Sequence, residues 1–197
     1  MTKRNDITGA ILAGGESSRM GQDKALLELD RKSFIQRIAE VLQEVVECVI
    51  IVSDHGERYG FLRLPIYEDI YKNCGPLAGI HSALTNATTE GVFIVSCDMP
   101  FLSPEVIRYV IDSKSCDDVT LLSTRNGFQP LCGLYKRGCL PTIEDHLKQG
   151  QCSVLQCLQE MQTTTLSPQF TNIPHPLMNV NTPGDYELCL KSTPEQK

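Results

Sequence analysis

Apolar positions along this chain fall into two alternating kinds of run. Residues 7–12, 48–52 and 92–96 are short, nearly unbroken apolar stretches rich in β-branched side chains, the pattern of strands buried on both faces. Between the first two, Ile35, Ile38, Leu42 and Val45 recur at helical spacing. They follow Ser33, with Gln36 three residues on, which predicts an amphipathic helix opened by a capping box. A short strand is expected at 65–67. Gly75-Pro76 opens a helix to about Leu84, and Ser103-Pro104 caps another that carries Val106, Val110 and Ile111. Strands are expected at 119–122, 131–135 and 177–180, and helices at 140–148 and 153–160. A last helix is expected from Thr182-Pro183 to about Leu190, and the segment from 13 to about 29 reads as a polar loop.

Strands alternating with helices through the first half imply βαβ units, hence an α/β fold with a mainly parallel sheet and helices on both faces. The consecutive strands near the middle suggest a mixed sheet or an inserted hairpin. One domain, 1–197, is expected, with 191–197 as a frayed tail. At 197 residues, 41% hydrophobic and 21% charged, the balance is globular. No apolar run approaches the roughly 20 residues that span a bilayer. A polar start without a long apolar region and cleavage site gives no sign of a secretory signal, so a cytoplasmic protein without a membrane partner is expected. The net charge of −6 argues against a nucleic-acid binder but leaves room for a small anionic substrate held by local positive charge. Nine scattered cysteines without zinc spacing read as reduced, structural thiols.

In an open α/β sheet, ligands bind beyond the carboxyl ends of the strands. The special segments here all follow predicted strands: the loop Leu12-Ala13-Gly14-Gly15 with Arg19 and Lys24, then Asp69, Asp98, and Asn179 with Asn181. Glycines let backbone amides approach phosphate oxygens, and Arg19 and Lys24 add cationic donors. The loop matches neither a P-loop nor GxGxxG. Asp98, at a strand end opposite that loop, suits Mg²⁺, which takes one or two carboxylates plus phosphate oxygens. Asp98 reads equally as a turn former when taken alone. Gly75 and Gly79 would admit a flat base or ribose at a helix start. His55, His81, His146 and His175 are isolated from one another, and no nucleophilic triad emerges.

These segments together resemble the molybdenum cofactor guanylyltransferase family, within the Rossmann-like nucleotidyltransferases. The matching pieces are 12–15, 19–21, 23–24, 68–69, 75–79, 97–100 and 179–183, in the family's order across nearly the whole chain. The resemblance implies a three-layer fold and GMP transfer from GTP to the terminal phosphate of molybdopterin cofactor, with pyrophosphate released. It implies that Leu12, Ala13, Gly14, Lys24, Asp69 and Asp98 serve the nucleotide, and the residue reading adds Gly15, Gly75 and Gly79 to that set. Arg19, Lys24 and Asp98 would be catalytic, Asp98 would hold Mg²⁺, and Asn179 and Asn181 would face the acceptor. Cofactor-delivery or molybdoenzyme maturation proteins would be partners. Val52 stands where the family often has an asparagine that contacts the nucleotide. The alternatives are a related transferase with another base or acceptor, such as a molybdopterin cytidylyltransferase, and a non-catalytic nucleotide-binding assembly subunit.

Overall fold

The computed structural model describes residues 2–14, 23–113, 115–124, 127–167, 170 and 176–192. In chain order it runs β1 (Arg4–Leu12), a 3-10 turn (Lys24–Leu26), a small hairpin of β2 (Glu28–Leu29) and β3 (Lys32–Ser33), and α1 (Phe34–Val45). Next come β4 (Val46–Val52), a 3-10 helix (Gly56–Leu62), β5 (Ile66–Tyr67), α2 (Gly75–Asn86), β6 (Gly91–Ser96) and α3 (Pro104–Ile111). The rest is β7 (Val119–Thr124), β8 (Gly127–Lys136), a 3-10 turn (Arg137–Cys139), α4 (Leu140–Lys148), α5 (Val154–Leu158), β9 (Thr163–Leu166) and α6 (Pro183–Lys191).

The apolar runs become the centre of a seven-stranded sheet of order β5-β4-β1-β6-β8-β7-β9. The first four strands are mutually parallel, β8 runs antiparallel to both β6 and β7, and β9 is parallel to β7. Successive side chains of a strand point to opposite faces, and here both faces are covered. Ile7, Ile11, Val49, Ile51, Phe93 and Val95 pack with α1 and α3, while Ala10, Leu12, Ile50, Val52, Val92 and Ile94 pack with α2, α4 and α5. This is the three-layer, mainly parallel arrangement expected. Gly9 lets α1 sit close on the sheet, since a Cβ there would lie 2.9 Å from a Leu42 methyl.

Several local expectations change. Ser33 caps α1 by accepting the Gln36 N–H at 3.4 Å, but Gln36 does not complete a box; its amide turns down the helix to Glu40 at 3.2 Å. Ser103 occupies the cap position of α3 without a side-chain cap bond. The helix expected at 153–160 is only Val154–Leu158, with Ser153 as its cap. The segment 177–180 is no strand. This segment instead runs past the end of β6, with Val180 N–H donating to the Asp98 carbonyl at 2.9 Å. Val180 buries against Leu27, Leu29 and Phe34 in a satellite cluster around the small hairpin. Thr182 and Asp185 form a full capping box on α6, which carries Lys191; the remaining tail, 193–197, lies outside the described residues. All nine cysteines are free thiols. Among the described residues no helix is long and apolar enough to cross a membrane.

Candidate active site

Register brings the predicted segments to one edge. Leu12 pairs with both Val52 and Ser96, and Val52 pairs with Tyr67, so four parallel strands end level. Backbone bonds carry the ladder one residue further: Ala13 N–H to Val52 O at 2.9 Å, Ser53 N–H to Tyr67 O at 2.8 Å, and Cys97 N–H to Leu12 O at 3.1 Å. Gly14, Asp54, Asp69 and Asp98 therefore leave the sheet side by side. Leu12 and Ala13 are buried, so what they can offer a ligand is backbone. Gly14 and Gly75 face open space where a side chain would begin, and Gly75 starts α2 at φ +58°, a left-handed conformation suited to glycine. Gly79 is different: a Cβ there would stand 3.3 Å from both Leu12 methyls, so its smallness serves the packing of α2 on β1.

Lys24 and Asp98 meet at this edge. The Lys24 ammonium donates to Asn181 Oδ1 at 2.9 Å, and the neighbouring Val180 N–H is bonded to the Asp98 backbone. One carboxyl oxygen of Asp98, Oδ1, is buried without a hydrogen-bond partner among the described residues. Burial pushes the Asp98 carboxyl above its ordinary range, while the Ser96 hydroxyl and the charge of Lys24 pull it back. An uncommitted buried carboxylate oxygen facing a cation-lined edge is a natural place for a hard metal ion. Among the described residues no group of three or more His, Cys, Asp or Glu gathers into a ready-made cage, so a metal here would take other ligands from phosphates and water. Gly15 and Arg19 lie outside the described residues.

The turn that carries Lys24 has its own scaffold, which sequence reading missed. Asp23 Oδ1 accepts the Ala25 N–H at 3.1 Å, and Oδ2 accepts from the buried Tyr59 hydroxyl at 2.8 Å and from Arg58 at 3.2 Å. Tyr59 and Arg58 sit in the 3-10 helix after β4, where nothing in the local pattern announces a partner far along the chain.

Asp69 occupies a second corner. Its N–H donates to Asp54 Oδ1 at 3.1 Å, and the next residue, Ile70, donates to Ser82 Oγ on α2 at 2.9 Å. Lys72 bridges Asp54 at 2.7 Å and Glu68 at 2.9 Å. Burial, then the charge of Asp54, raises the Asp69 carboxyl to about 6, with Lys72 opposing. Val52 is buried in the core, so its position supplies no polar group, and the buried Ser53 hydroxyl accepts from His55 N–H at 3.1 Å. Asn179 donates to Gln129 of β8 at 3.3 Å, while Asn181 is taken up by Lys24. The two asparagines thus reach the expected edge, though no strand precedes them. His81 and His146 are buried with Nε2 turned to Glu144 (3.4 Å) and Glu160 (3.1 Å), away from any nucleophile role; His175 lies outside the described residues.

Known proteins resemble this chain over most of its length. The family model of the MobA-like NTP transferase domain matches residues 9–164. The protein named probable molybdenum cofactor guanylyltransferase in Carboxydothermus hydrogenoformans is 38% identical over 192 residues, covering 94% of this chain and 96% of its own. Its namesake in Pelotomaculum thermopropionicum is 40% identical over 185 residues, covering 90% of this chain and 89% of its own. A solved structure from Aquifex aeolicus superposes with a TM-score of 0.78 at 30% identity, covering 89% of this chain and 93% of that one. Molybdopterin-guanine dinucleotide biosynthesis protein A from Archaeoglobus fulgidus superposes with a TM-score of 0.79 over 93% of this chain and 99% of that one. At 24% identity it speaks to the fold alone.

Proposed function

This chain belongs to the MobA-like NTP transferase family, and from that premise we propose that it is a molybdenum cofactor guanylyltransferase. It transfers GMP from GTP to the terminal phosphate of molybdopterin cofactor and releases pyrophosphate. The observation that carries the assignment of roles is the Asp98 carboxyl oxygen, buried and uncommitted, at the edge where Lys24 is tethered to Asn181. An oxygen of the acceptor's terminal phosphate attacks the α-phosphorus in line; a new P–O bond forms as the bond to pyrophosphate breaks. The protein does little covalent chemistry in such a step, and positioning and charge neutralisation supply the rate. Lys24 offsets the negative charge that departs on pyrophosphate, and Arg19 is assigned the same work. Asp98 would hold Mg²⁺, which when bound neutralises phosphate charge as a Lewis acid.

Backbone of Leu12, Ala13, Gly14 and Gly15, the open start of α2 at Gly75, and the Asp69 corner are assigned to the nucleotide. Asn179 and Asn181 border the acceptor side, with Gln129 beside Asn179. Gly79 contributes by close packing under Leu12 rather than by contact. Proteins that deliver the pterin or mature molybdoenzymes would meet this protein as partners.

The test is incubation with GTP, Mg²⁺ and molybdopterin cofactor, followed by the mass of the product. A guanine dinucleotide with equimolar pyrophosphate is expected; nucleotide binding without pyrophosphate would mark a non-catalytic assembly subunit. The buried Val52 favours one second reading, in which base choice differs from guanine. Competition between GTP and CTP in the same mixture decides it.

A further inference from the structure

Ala13 and Asp23 bracket the glycine loop, and the Tyr59 hydroxyl stands between them. Its oxygen is 2.8 Å from Asp23 Oδ2 and 3.5 Å from the Ala13 carbonyl. A phenol carries one proton, and the shorter, charge-assisted contact takes it. The Tyr59 side chain is only 2% exposed and sits in the same core as β1 and α1, so packing fixes where that oxygen lies. Burial, reinforced by Asp23, pushes the phenol far above its ordinary range, which keeps it a donor at every working pH.

Asp23 transmits this anchor. Its Oδ1 closes the turn Lys24–Leu26 by accepting the Ala25 N–H, while Oδ2 takes Tyr59 and Arg58. Both oxygens of Asp23 accept hydrogen bonds and its charge is faced by a guanidinium, so in this structure its contacts serve the turn that carries Lys24. A phenylalanine would fill the same core volume as Tyr59. The hydroxyl therefore has a use that packing does not explain.

We infer that Tyr59 and Arg58 are positioning residues for the transfer reaction: acting through Asp23, they fix the turn that aims Lys24 at the sheet edge beside Asp98. Arg58 also screens the Asp23 charge from incoming phosphates. This rests on the reading of Lys24 as the residue that offsets phosphate charge.

The experiment is a double-mutant cycle on the full chain. It measures kcat, KM for GTP and the melting temperature of Tyr59→Phe, Lys24→Ala and the double variant. Lys24→Ala is expected to lower kcat by about 10²–10³. Tyr59→Phe is expected to lower kcat by about 10-fold, leave KM for GTP within about threefold, and melt within a few degrees of the parent. In the double variant kcat stays within about twofold of Lys24→Ala alone, because aiming an absent ammonium has no value. Arg58→Met, a change at a half-exposed side chain, keeps the test alive if Tyr59→Phe folds poorly. It should lower kcat several-fold and raise KM for GTP by roughly 3–10-fold, and, like Tyr59→Phe, lose its effect on kcat in the Lys24→Ala background. If Lys24→Ala is crippled while Tyr59→Phe turns over normally, or if the two losses multiply in full, the inference is overturned and the reading of Lys24 stands. Normal turnover by Lys24→Ala overturns both.

Discussion

Asp98 and Asp69 are the same residue type at the same edge, and different neighbours surround them. Each follows a parallel strand, β6 and β5 respectively, and each has an Oδ1 buried without a hydrogen-bond partner among the described residues. Burial raises both carboxyl groups. The neighbours then diverge. At Asp98 the Ser96 hydroxyl and Lys24 oppose that rise, whereas at Asp69 the charge of Asp54 adds to it and Lys72 opposes it. A carboxyl with an uncommitted oxygen beside a cation suits a metal ion and phosphates. One poised near 6 is prepared to change its hydrogen-bonding role with pH, accepting donors only when ionised. Position on the sheet thus brings both to one edge, and under the proposed function local charge divides the work between them.

The comparison breaks most readily at Asp98. Asp98→Asn keeps the shape and removes the charge, and turnover should fall by about 10³ or more in a pyrophosphate-release assay, with the melting temperature little changed. Asp69→Asn should act on binding instead, raising KM for GTP by roughly tenfold while kcat holds within a few-fold. In the wild type, KM for GTP should rise as pH falls through about 6, where Asp69 gains its proton, and this rise should vanish in Asp69→Asn. Stability gives a smaller effect of definite sign. Between the unfolded value of roughly 4 and the folded value of about 6, the native state holds a proton that the unfolded chain has lost. The Asp69 contribution to stability therefore falls as pH rises through that window. Melting curves at pH 4, 5, 6 and 7 should show Asp69→Asn gaining on the wild type with rising pH. The smallest effect belongs to the cap beside Asn181: Thr182→Ala loses the bond to Asp185 N–H and should cost about 1 kcal/mol in chemical denaturation, with at most a mild loss of turnover.

The fold was legible where burial on both faces or a helical stripe leaves its mark on the residues themselves. The runs around Leu12, Val52 and Ser96 announce their strands, and α4 falls at 140–148 as its pattern predicts. β9 was not legible, because Thr163, Thr164 and Thr165 are polar and only pairing with β7 makes them a strand. Conversely, residues 177–180 look like a strand, yet they pair with no strand and Val180 instead bonds to the Asp98 backbone. The site divides in the same manner. Lys24 and Asp98 stand in segments whose composition and order along the chain carry information. Tyr59 and Gln129 do not, since their meaning lies in partners supplied by the fold. Gly79 read as room for a ligand when its room is already filled by Leu12.

Asp98, and not Asp69, is assigned the divalent ion at this edge. Electron paramagnetic resonance of Mn²⁺ with a saturating non-hydrolysable GTP analogue tests it directly in the wild type, Asp98→Asn and Asp69→Asn. The enzyme-bound Mn²⁺ signal should persist in the wild type and in Asp69→Asn and be lost in Asp98→Asn. An unchanged signal in Asp98→Asn, or its loss in Asp69→Asn alone, would contradict the account.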